Sequence, residues 1–341
     1  MKLHLFDMSN FIYTGIAMKD CIQRGVREVD GFWEANSLPI GPLVYFFNFI
    51  KGVDYTKNVV VPIFDRVPEK KRQLYTDVLG TEQSYKGTRV KKNNHVTLYS
   101  KMLEWALNEC GFSCQHADGY EADDIIHTIV NRKKSEYEKV YIYTLDSDLS
   151  YLVSDNVEIK KPNSLGKNID IDNYAYTVRK DRVTYYNTIH IHKLIEGDKS
   201  DNIPGIGQQW NRLIAEQVLP GEYAELGDLD KTREVLLRAV KANPTEKNAH
   251  LVLSIFKIIT PFTLYDDELD TDFFSTSIDY EKLMYFKHGM RKEDDLWGFE
   301  NNVLEWIDQY NLEQDGEVHP NIPKPEYSSE LLNQYGSTIA D

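Results

Sequence analysis

Three short apolar runs, each of which leads to an aspartate, constrain the fold of this chain more than any other feature. The runs with their aspartates are Lys2–Phe6 with Asp7, Asn58–Phe64 with Asp65, and Lys139–Thr144 with Asp146. Runs this short, rich in β-branched and aromatic residues, are typical of buried strands. Longer apolar segments between them predict helices at Gly41–Lys51, His95–Cys110 and Tyr120–Arg132. This alternation predicts an α/β fold with a mostly parallel central sheet flanked by helices.

The three aspartates are expected to lie close together. The carboxyl ends of parallel strands share one edge of a sheet, and ligands bind beyond that edge. A single aspartate at a strand end is more often a turn former or a helix cap. Three of them in one sheet favour a functional site at this edge.

The composition excludes several classes of protein. The chain has 341 residues, of which 41% are hydrophobic and 27% charged, so it is too apolar for wholesale disorder. This length suggests about two domains, or one large α/β domain with appendages. Its three cysteines cannot form a disulfide framework. The run Pro42–Ile50 is far shorter than the ~20 residues of a membrane span, and Asp7 interrupts any signal-peptide core. We expect a cytoplasmic protein with no membrane partner.

Residues 66–92 carry charge opposite in sign to the rest of the chain. The formal net charge is −15, whereas this segment holds eight basic and three acidic residues. Tyr75 and Tyr85 interleave with these charges. A charge run is usually a solvated face, but this one directly follows a predicted strand that leads to Asp65. The segment therefore predicts a loop or arch that grips phosphates.

Further acids cluster at predicted turns and helix starts. They are Glu121, Asp123 and Asp124 in GYEADD, Asp146 and Asp148 in TLDSDL, and Asp198 and Asp201 in GDKSDN. On a helix Glu121 and Asp124 share a face; a favourable interaction with the helix dipole explains one acid there, but not three. With the first two strand-end aspartates the set has nine carboxylates, and oxygen-only ligands suit Mg²⁺ or Mn²⁺. So many carboxylates favour a two-metal site that promotes attack on phosphorus.

In order and spacing these motifs resemble the 5′-nuclease superfamily, which includes flap endonucleases, the 5′-nuclease domain of bacterial DNA polymerase I, and phage 5′→3′ exonucleases or phage RNase H. The motifs FD, FD…R…YK, GYEADD, TLDSDL and GDKSDNIPGIG carry the resemblance from residue 3 to about residue 219. It implies a PIN-like α/β fold with a helical arch, and a helix–hairpin–helix element in a smaller, mainly helical C-terminal part. We expect a nuclease domain at 1–186 with a basic arch at 66–94, a helical domain at 187–319 with the helix–hairpin–helix near 199–219, and a polar tail at 320–341.

The resemblance also implies roles for the acids. Those matching the surroundings of a first ion are Asp7, Asp65, Glu121 and Asp123, and those matching a second are Asp146, Asp148, Asp198 and Asp201. Asp123 and Asp146 are expected near both ions, and Asp124 is a further acid of the motif. The implied cofactor is Mg²⁺, as two or more ions, for which Mn²⁺ can substitute.

The basic segment and the hairpin are implied to bind nucleic acid. Arg72 and Lys86 are expected at the scissile phosphate and are, with Asp123 and Asp146, the candidate catalytic residues. The candidate nucleic-acid contacts are Arg72, Tyr85, Lys86, Arg89, Lys91 and Lys92 in the arch, and Gly205, Gly207 and Arg212 at the hairpin. In the family the hairpin binds the duplex backbone through main-chain amides, often with a monovalent cation. Arg212 is expected to replace a lysine that the family often has after the hairpin.

The expected function is a structure-specific, divalent-metal-dependent 5′→3′ exonuclease and flap endonuclease of replication. Its expected partners are DNA with 5′ ends or flaps, RNA primers in RNA–DNA hybrids, and replication proteins such as single-strand binding protein. One alternative is a PIN-like single-stranded RNA endonuclease, against which the helix–hairpin–helix signal argues. A second is a non-catalytic protein that binds DNA junctions, against which the full set of acids argues.

Overall fold

The structure is a computed structural model in which the chain forms two compact units. The first unit comprises Met1–Asp7, Val59–Lys91 and Gln115–Phe274, and the second comprises Met8–Asn58, Lys92–Cys114 and Ser275–Asp341. The structure describes residues 1–17, 28–29, 32–33, 45–46, 49–50, 52–54, 57–80, 84–87, 94–162, 168–170, 177–179, 182–184, 188–271, 274 and 278–279.

Short strands and helices make up most of the described residues. The strands are β1 (Lys2–Asp7), β2 (Glu28–Val29), β3 (Phe32–Trp33), β4 (Val59–Ile63), β5 (Lys139–Tyr143), β6 (Val157–Lys160), β7 (Thr177–Arg179), β8 (Arg182–Thr184), β9 (Gly197–Asp198) and β10 (Ile203–Pro204). The helices are α1 (Met8–Ala17), α2 (Glu69–Leu79), α3 (Asn94–Glu109), α4 (Ala122–Lys133), α5 (Ile189–Glu196), α6 (Gln208–Ala215), α7 (Leu229–Ala242) and α8 (Ala249–Ile259). Short 3₁₀ segments lie at Lys134–Glu136, Ser150–Leu152 and Glu222–Glu225.

The first unit contains a four-stranded sheet in the order β4-β1-β5-β6. All neighbouring strands are parallel; Asp7 of β1 pairs with Ile63 of β4, and Phe6 with Tyr143 of β5. The carboxyl ends of the four strands therefore lie along one edge. The predicted α/β class with a mostly parallel sheet flanked by helices is confirmed, and the three predicted strands are found within one residue at each end.

Helix α4 packs its apolar stripe against one face of this sheet. Leu3 and Leu5 of β1 lie in the same buried cluster as Ile125, Ile126 and Ile129 of α4, and all five side chains are fully buried. Ile129 lies four residues after Ile125 and three after Ile126, so the three side chains form one continuous stripe. Burying one such side chain contributes roughly 1.5–3 kcal/mol. This packing fixes the helix whose first turn carries the GYEADD acids.

The helices that follow residue 188 enclose a second hydrophobic core within the first unit. Its largest side chain is Trp210 of α6, which is 2% exposed. The Trp210 indole N–H donates a hydrogen bond to the Lys247 carbonyl at 2.6 Å, so its polar group is satisfied on burial. The predicted helical part is therefore present, with a core of its own.

The hairpin β9–β10 joins α5 to α6 and forms the predicted helix–hairpin–helix element. Its first helix begins at Ile189, ahead of the predicted start near residue 199. Two glycines allow the backbone to pack closely here. A Cβ on Gly197 would lie 2.7 Å from the Gly205 nitrogen, and a Cβ on Gly205 would lie 2.5 Å from the Ile195 carbonyl oxygen. A side chain at either position would force this turn open.

The second unit contains α1 and α3 and an aromatic cluster. The Phe11 ring lies 5.6 Å from Phe46 and 5.3 Å from Phe49, both edge to face, and the Phe46 ring lies 6.1 Å from Phe112. Edge-to-face contacts of this kind add about 0.5–1.5 kcal/mol beyond the buried area.

The remaining fold predictions have different outcomes. Two predicted helices are confirmed as α3 and α4 within two residues at each end. Of the helix predicted at 41–51, residues 45, 46, 49 and 50 are described and helical. The predicted tail lies outside the described residues, and the predicted domain boundaries stay a prediction. Among the residues that the structure describes, no helix is long and apolar enough to cross a membrane.

Candidate active site

Hydrogen bonds at the carboxyl edge of the sheet connect the ends of β1 and β5. The Thr144 hydroxyl donates to Asp7 Oδ2 at 2.8 Å and accepts from the Asp146 N–H at 3.0 Å. The Asp148 N–H donates to Asp146 Oδ1 at 3.0 Å, which closes a tight turn after β5. Asp7 is buried, Asp148 is half-buried and Asp146 is exposed. Two of the predicted strand-end aspartates thus lie in one hydrogen-bonded chain.

The third strand-end aspartate caps helix α4. Asp65 Oδ1 accepts a hydrogen bond from the Ala122 N–H at 2.8 Å, and Asp124 Oδ2 accepts one from the Glu121 N–H at 3.0 Å. The first N–H groups of a helix have no partner within the helix, so these carboxylates satisfy donors that would otherwise be free. Negative charge at a helix start is also stabilised by the helix dipole. The end of β4 is thereby tied to the GYEADD segment.

Asp123 lies in the electrostatic field of acids from four other chain positions. Burial raises the pKa of Asp123 well above its usual range, and Asp146, Asp7, Asp148 and Glu121 raise it further in that order. Acids separated by more than a hundred residues in the sequence therefore converge in the first unit. Like charges this close indicate a site that attracts cations.

The inner side of this cluster is closed by a buried lysine. Lys71 Nζ of α2 lies 3.1 Å from Glu121 Oε2 and 3.1 Å from Asp124 Oδ1, and the Phe262 N–H donates to Asp124 Oδ1 at 2.7 Å. Burial would raise the pKa of Glu121, but the ammonium groups of Lys71 and Lys86 lower it to about 2. Burial raises the pKa of Asp124, against the opposing effect of Lys71. Burial would lower the pKa of Lys71, but Asp124 and Glu121 hold it above its ordinary value.

The YK element of the basic segment reaches two of the acid motifs. The Lys86 ammonium contacts Glu121 Oε1 and lies 3.9 Å from Asp201 Oδ2. The Tyr85 hydroxyl lies 3.0 Å from both Glu121 Oε2 and Asp201 Oδ2, so its single proton is shared between them. Burial, with these two carboxylates, raises the pKa of Tyr85 well above its usual range. Tyr85 is therefore a neutral hydrogen-bond donor at the site.

The turn between β9 and β10 holds the backbone of the same segment. The Lys86 N–H donates to the Asp201 carbonyl at 3.0 Å, with Lys86 at a left-handed φ of 57°. Asn202 Nδ2 donates to the Ser84 carbonyl at 3.2 Å, and the Tyr75 hydroxyl donates to the Asn202 carbonyl at 2.7 Å. These contacts place Lys86 over the acids. Of the predicted arch, residues 69–79 form helix α2 and residues 84–87 form a turn.

A second lysine connects the hairpin acids to the turn after β5. Lys193 Nζ of α5 lies 2.5 Å from Asp198 Oδ2 and also contacts Asp148 Oδ2. Asp198 Oδ1 accepts from the Ser200 N–H at 2.8 Å and from the Ser200 hydroxyl at 2.6 Å. Burial and Asp146 raise the pKa of Asp148 to about 6, although Lys193 opposes this. The hairpin acids therefore belong to the same network as the sheet-edge acids.

Sequence reasoning missed the roles of three lysines. Lys71 and Lys193 each contact two of the predicted acids. Lys161 Nζ donates to the carbonyls of Leu145 and Asp146, both at 3.0 Å, and so holds the turn after β5. The available signal for Lys71 was its spacing of four residues from Tyr75, which is buried on the same helical face.

The other predicted contacts differ in how far the structure describes them. Arg72 is exposed on α2. Arg212 is exposed and pairs with Glu216 at 3.4 Å. Gly207 has a φ of +95° and open space where a side chain would stand, whereas Gly205 is tightly packed. Predictions for residues 89, 91 and 92 fall outside the described residues. The roles assigned to all of these stay predictions.

The donor set of the network fits a hard cation, although the ligands are not preassembled. Within the described ranges, no three carboxylate, imidazole or thiol groups already surround a common point as a metal site would. Lysine ammonium groups occupy positions between the acids instead. Every candidate ligand is nevertheless a carboxylate, which is the chemistry that Mg²⁺ and Mn²⁺ prefer. The ligand roles of the nine acids stay predictions.

The sequence is similar to those of known nucleases. The family model described as "5'-3' exonuclease, N-terminal resolvase-like domain" matches residues 3–184, more than half of the chain. A 5'-3' exonuclease of Mycoplasmopsis pulmonis is 32% identical over 126 residues, which cover 36% of this chain and 40% of that protein. A 5'-3' exonuclease of Aquifex aeolicus is 27% identical over 276 residues, which cover 79% of this chain and 85% of that protein. The match thus spans less than half of the first relative and most of the second.

The solved flap endonuclease-1 of Methanococcus jannaschii aligns with a TM-score of 0.42 and 14% identity, over 91% of this chain and 93% of that one.

Proposed function

The chain belongs to the 5'-3' exonuclease family with the N-terminal resolvase-like domain, and from this we propose that it is a divalent-metal-dependent 5′ nuclease. Its proposed reaction is hydrolysis of phosphodiesters at DNA 5′ ends, at 5′ flaps and in RNA primers of RNA–DNA hybrids. The proposed context is replication, in which single-strand binding protein is a candidate partner.

One observation carries this proposal, which is the convergence of acids from five separate chain segments. Carboxylates at the end of β1, after β4 and β5, at the start of α4 and in the β9–β10 turn share one network of hydrogen bonds and charge contacts. Lys71, Lys86 and Lys193 compensate part of this negative charge, and a bound divalent cation would compensate the rest. A phosphodiester nuclease needs such an arrangement because its substrate is an anion, and carboxylates can hold the divalent cations that bind the phosphate.

Most of the proposed cation ligands are exposed or half-buried acids. Asp123, Asp146 and Asp148, with the buried Asp7 and one oxygen of Glu121 beside them, would hold two Mg²⁺ or Mn²⁺ ions. When bound, such ions would neutralise phosphate oxygens and stabilise the charge of an in-line displacement. Lys193 contacts Asp148 and Asp198, and Lys86 contacts Glu121 and Asp201. We infer that the two ammonium groups would leave these carboxylates when a cation is bound there.

The basic segment and the hairpin are the proposed nucleic-acid contacts. Lys86, once released from Glu121, would bind the scissile phosphate together with Arg72 and stabilise the charge that develops there. The hairpin around Gly205 and Gly207 would bind the duplex backbone, with a monovalent cation at the turn. The Gly207 N–H itself donates to the Ile195 carbonyl at 3.0 Å, so other main-chain groups of the turn would make these contacts. Contacts of this kind recognise duplex shape rather than base sequence.

A cleavage assay tests the proposed function. A 5′-labelled DNA flap, an RNA–DNA hybrid and a single-stranded RNA would be incubated with the protein, with and without Mg²⁺, beside the Asp146→Asn variant. We expect Mg²⁺-dependent cleavage of the flap and the hybrid by the wild type, with little cleavage of the single strand. Preferred cleavage of single-stranded RNA would favour a PIN-like RNA endonuclease. Flap binding without cleavage in any divalent metal would favour a non-catalytic junction-binding protein.

A further inference from the structure

Lys71 is a buried cation inside the carboxylate network. Its side chain is 5% exposed, and Nζ lies 3.1 Å from both Glu121 Oε2 and Asp124 Oδ1. The ring of Phe262 lies on a third side, with its centroid 5.8 Å from Nζ. Lysine is almost never buried this completely unless its charge is paired. Lys71 is therefore held by the acids and holds them in turn.

Asp124 faces the protein interior. Its Oδ1 accepts from Lys71 and from the Phe262 N–H, and its Oδ2 accepts from the Glu121 N–H. Its side chain is 0% exposed. Three protein donors thus surround this fully buried carboxylate, and they stabilise its negative charge without a bound ion. Asp124 is better understood as the partner of Lys71 than as a cation ligand.

The two oxygens of Glu121 differ in the same way. Oε2 lies 3.1 Å from Lys71 Nζ and 3.0 Å from the Tyr85 hydroxyl, and both of these partners are buried. Oε1 contacts the ammonium group of Lys86, which is partly exposed. Lys71 therefore helps to determine which Glu121 oxygen is turned away from the core.

We propose that Lys71 is a positioning residue for the nuclease reaction: it holds Glu121 through Oε2, so that Oε1 is the oxygen left for a cation, and its fixed charge takes the place of a cation on the inner side of the network. This inference rests on the proposed function.

The proposal predicts opposite effects on cation affinity and on rate. Removing one positive charge beside several carboxylates strengthens their attraction for a divalent cation, by about tenfold or more at distances of several ångströms. Removing the contact also frees Glu121 to rotate, and loss of orientation slows a reaction even when all its groups are present. A residue with a merely structural role would not raise the affinity while lowering the rate.

The test compares the Lys71→Met variant with the wild type and with Lys231→Met, which removes a lysine that pairs with Glu234 on the surface of α7. Mn²⁺ binding would be measured by calorimetry without nucleic acid, and flap cleavage by single-turnover kinetics at saturating Mn²⁺. For Lys71→Met we expect about tenfold tighter Mn²⁺ binding and at least a tenfold slower rate. For Lys231→Met we expect both quantities to stay within about twofold of the wild type.

A double variant keeps the test decisive if Lys71→Met does not fold. Lys71→Met with Asp124→Asn removes one charge of each sign, so we expect Mn²⁺ affinity near that of the wild type while the rate stays low. A wild-type rate in this double variant would overturn the proposal. Unchanged or weaker Mn²⁺ binding by a folded Lys71→Met variant would overturn it as well. If the wild type neither binds Mn²⁺ nor cleaves, the proposed function itself fails and the role of Lys71 fails with it.

Discussion

The two sides of the carboxylate network differ in what their acids contact. On the inner side Glu121 and Asp124 are 9% and 0% exposed, and they accept hydrogen bonds from Lys71 and from main-chain N–H groups. On the outer side Asp146 is exposed and Asp148 is half-buried. The inner acids are satisfied by the protein itself, whereas the outer acids remain accessible to solvent.

This difference separates two uses of the same residue type. A buried charge destabilises the fold unless it is paired, so the inner acids and their lysine depend on one another for stability. An exposed carboxylate contributes little to folding, because water solvates it well in the folded and unfolded states. We therefore infer that the inner side maintains the geometry, including the orientation of the Glu121 oxygen proposed to face a cation, and that the outer side carries out the chemistry.

The largest effect is expected at the outer side. Asp146→Asn keeps the shape of the side chain but removes a charge that both proposed ions need, so single-turnover cleavage of a labelled flap should fall by at least about a thousandfold, or ~4 kcal/mol of activation free energy. Binding of the same flap, measured by fluorescence anisotropy in Ca²⁺, should change little. Retained turnover would contradict the role assigned to Asp146.

The inner side should instead dominate stability. Asp124→Ala leaves the buried Lys71 without one of its two carboxylate partners, and breaking a buried pair in this way costs about 3 kcal/mol. Urea unfolding should show this loss in the free energy of unfolding. The matched variant Asp146→Ala should lose no more than about 1.5 kcal/mol, because Asp146 is exposed and its side chain accepts one hydrogen bond in the turn after β5. Equal losses in the two variants would remove the distinction between the sides.

Lys86 connects the basic segment to the carboxylate network through Glu121 and Asp201. Lys86→Ala removes the proposed phosphate contact, so single-turnover cleavage should slow by about a hundredfold, which is typical for loss of one charged donor at a reacting centre. Circular dichroism should show an unchanged fold, and Lys86→Arg should restore part of the rate because it keeps the charge. A normal rate for the alanine variant would assign Lys86 to a solvated face.

The smallest expected effect concerns His190, a buried histidine of helix α5. Burial, together with Lys193, Lys71 and His127, lowers the pKa of His190 to about 3. The centroid of the His190 ring lies 4.8 Å from that of the Tyr151 ring. Below about pH 6.5 the His190 imidazole is protonated in the unfolded chain but stays neutral in the folded chain. The free energy of unfolding therefore falls as the pH falls from about 6.5 toward 3. The slope from this residue is about 1.4 kcal/mol per pH unit.

The variant His190→Leu should lack that slope. Urea unfolding between pH 7 and pH 5 would measure the free energy of unfolding of both proteins, and the difference between them isolates His190 from the other titrating groups. Parallel pH profiles for the two proteins would show that His190 is not held neutral in the folded state.

The strands and the acid motifs could be predicted from the sequence because their signals are local. A short run rich in β-branched residues favours a buried strand of a parallel sheet. The direction of the strand then determines at which edge of the sheet Asp7 and Asp146 lie. The start of α4 was equally readable, since acids followed by an apolar stripe are typical of a helix N-terminus.

The partners of the acids could not be predicted in this way. Lys70, Lys71 and Arg72 are consecutive and similar in charge, yet only Lys71 is buried. Each residue of a helix is rotated by about 100° from the one before it, so the docking of α2 decides which of the three faces the acids. Lys193 likewise bridges Asp148 and Asp198 because of where α5 packs.

By itself the sequence determined which segments become strands and helices, and that many carboxylates stand at their ends, because hydrophobic periodicity and helix-start chemistry act over a few residues. Only the tertiary structure decided which acids are buried and paired with lysine and which stay open to solvent. The physical reason is that desolvation and ion pairing depend on neighbours that come from distant parts of the chain.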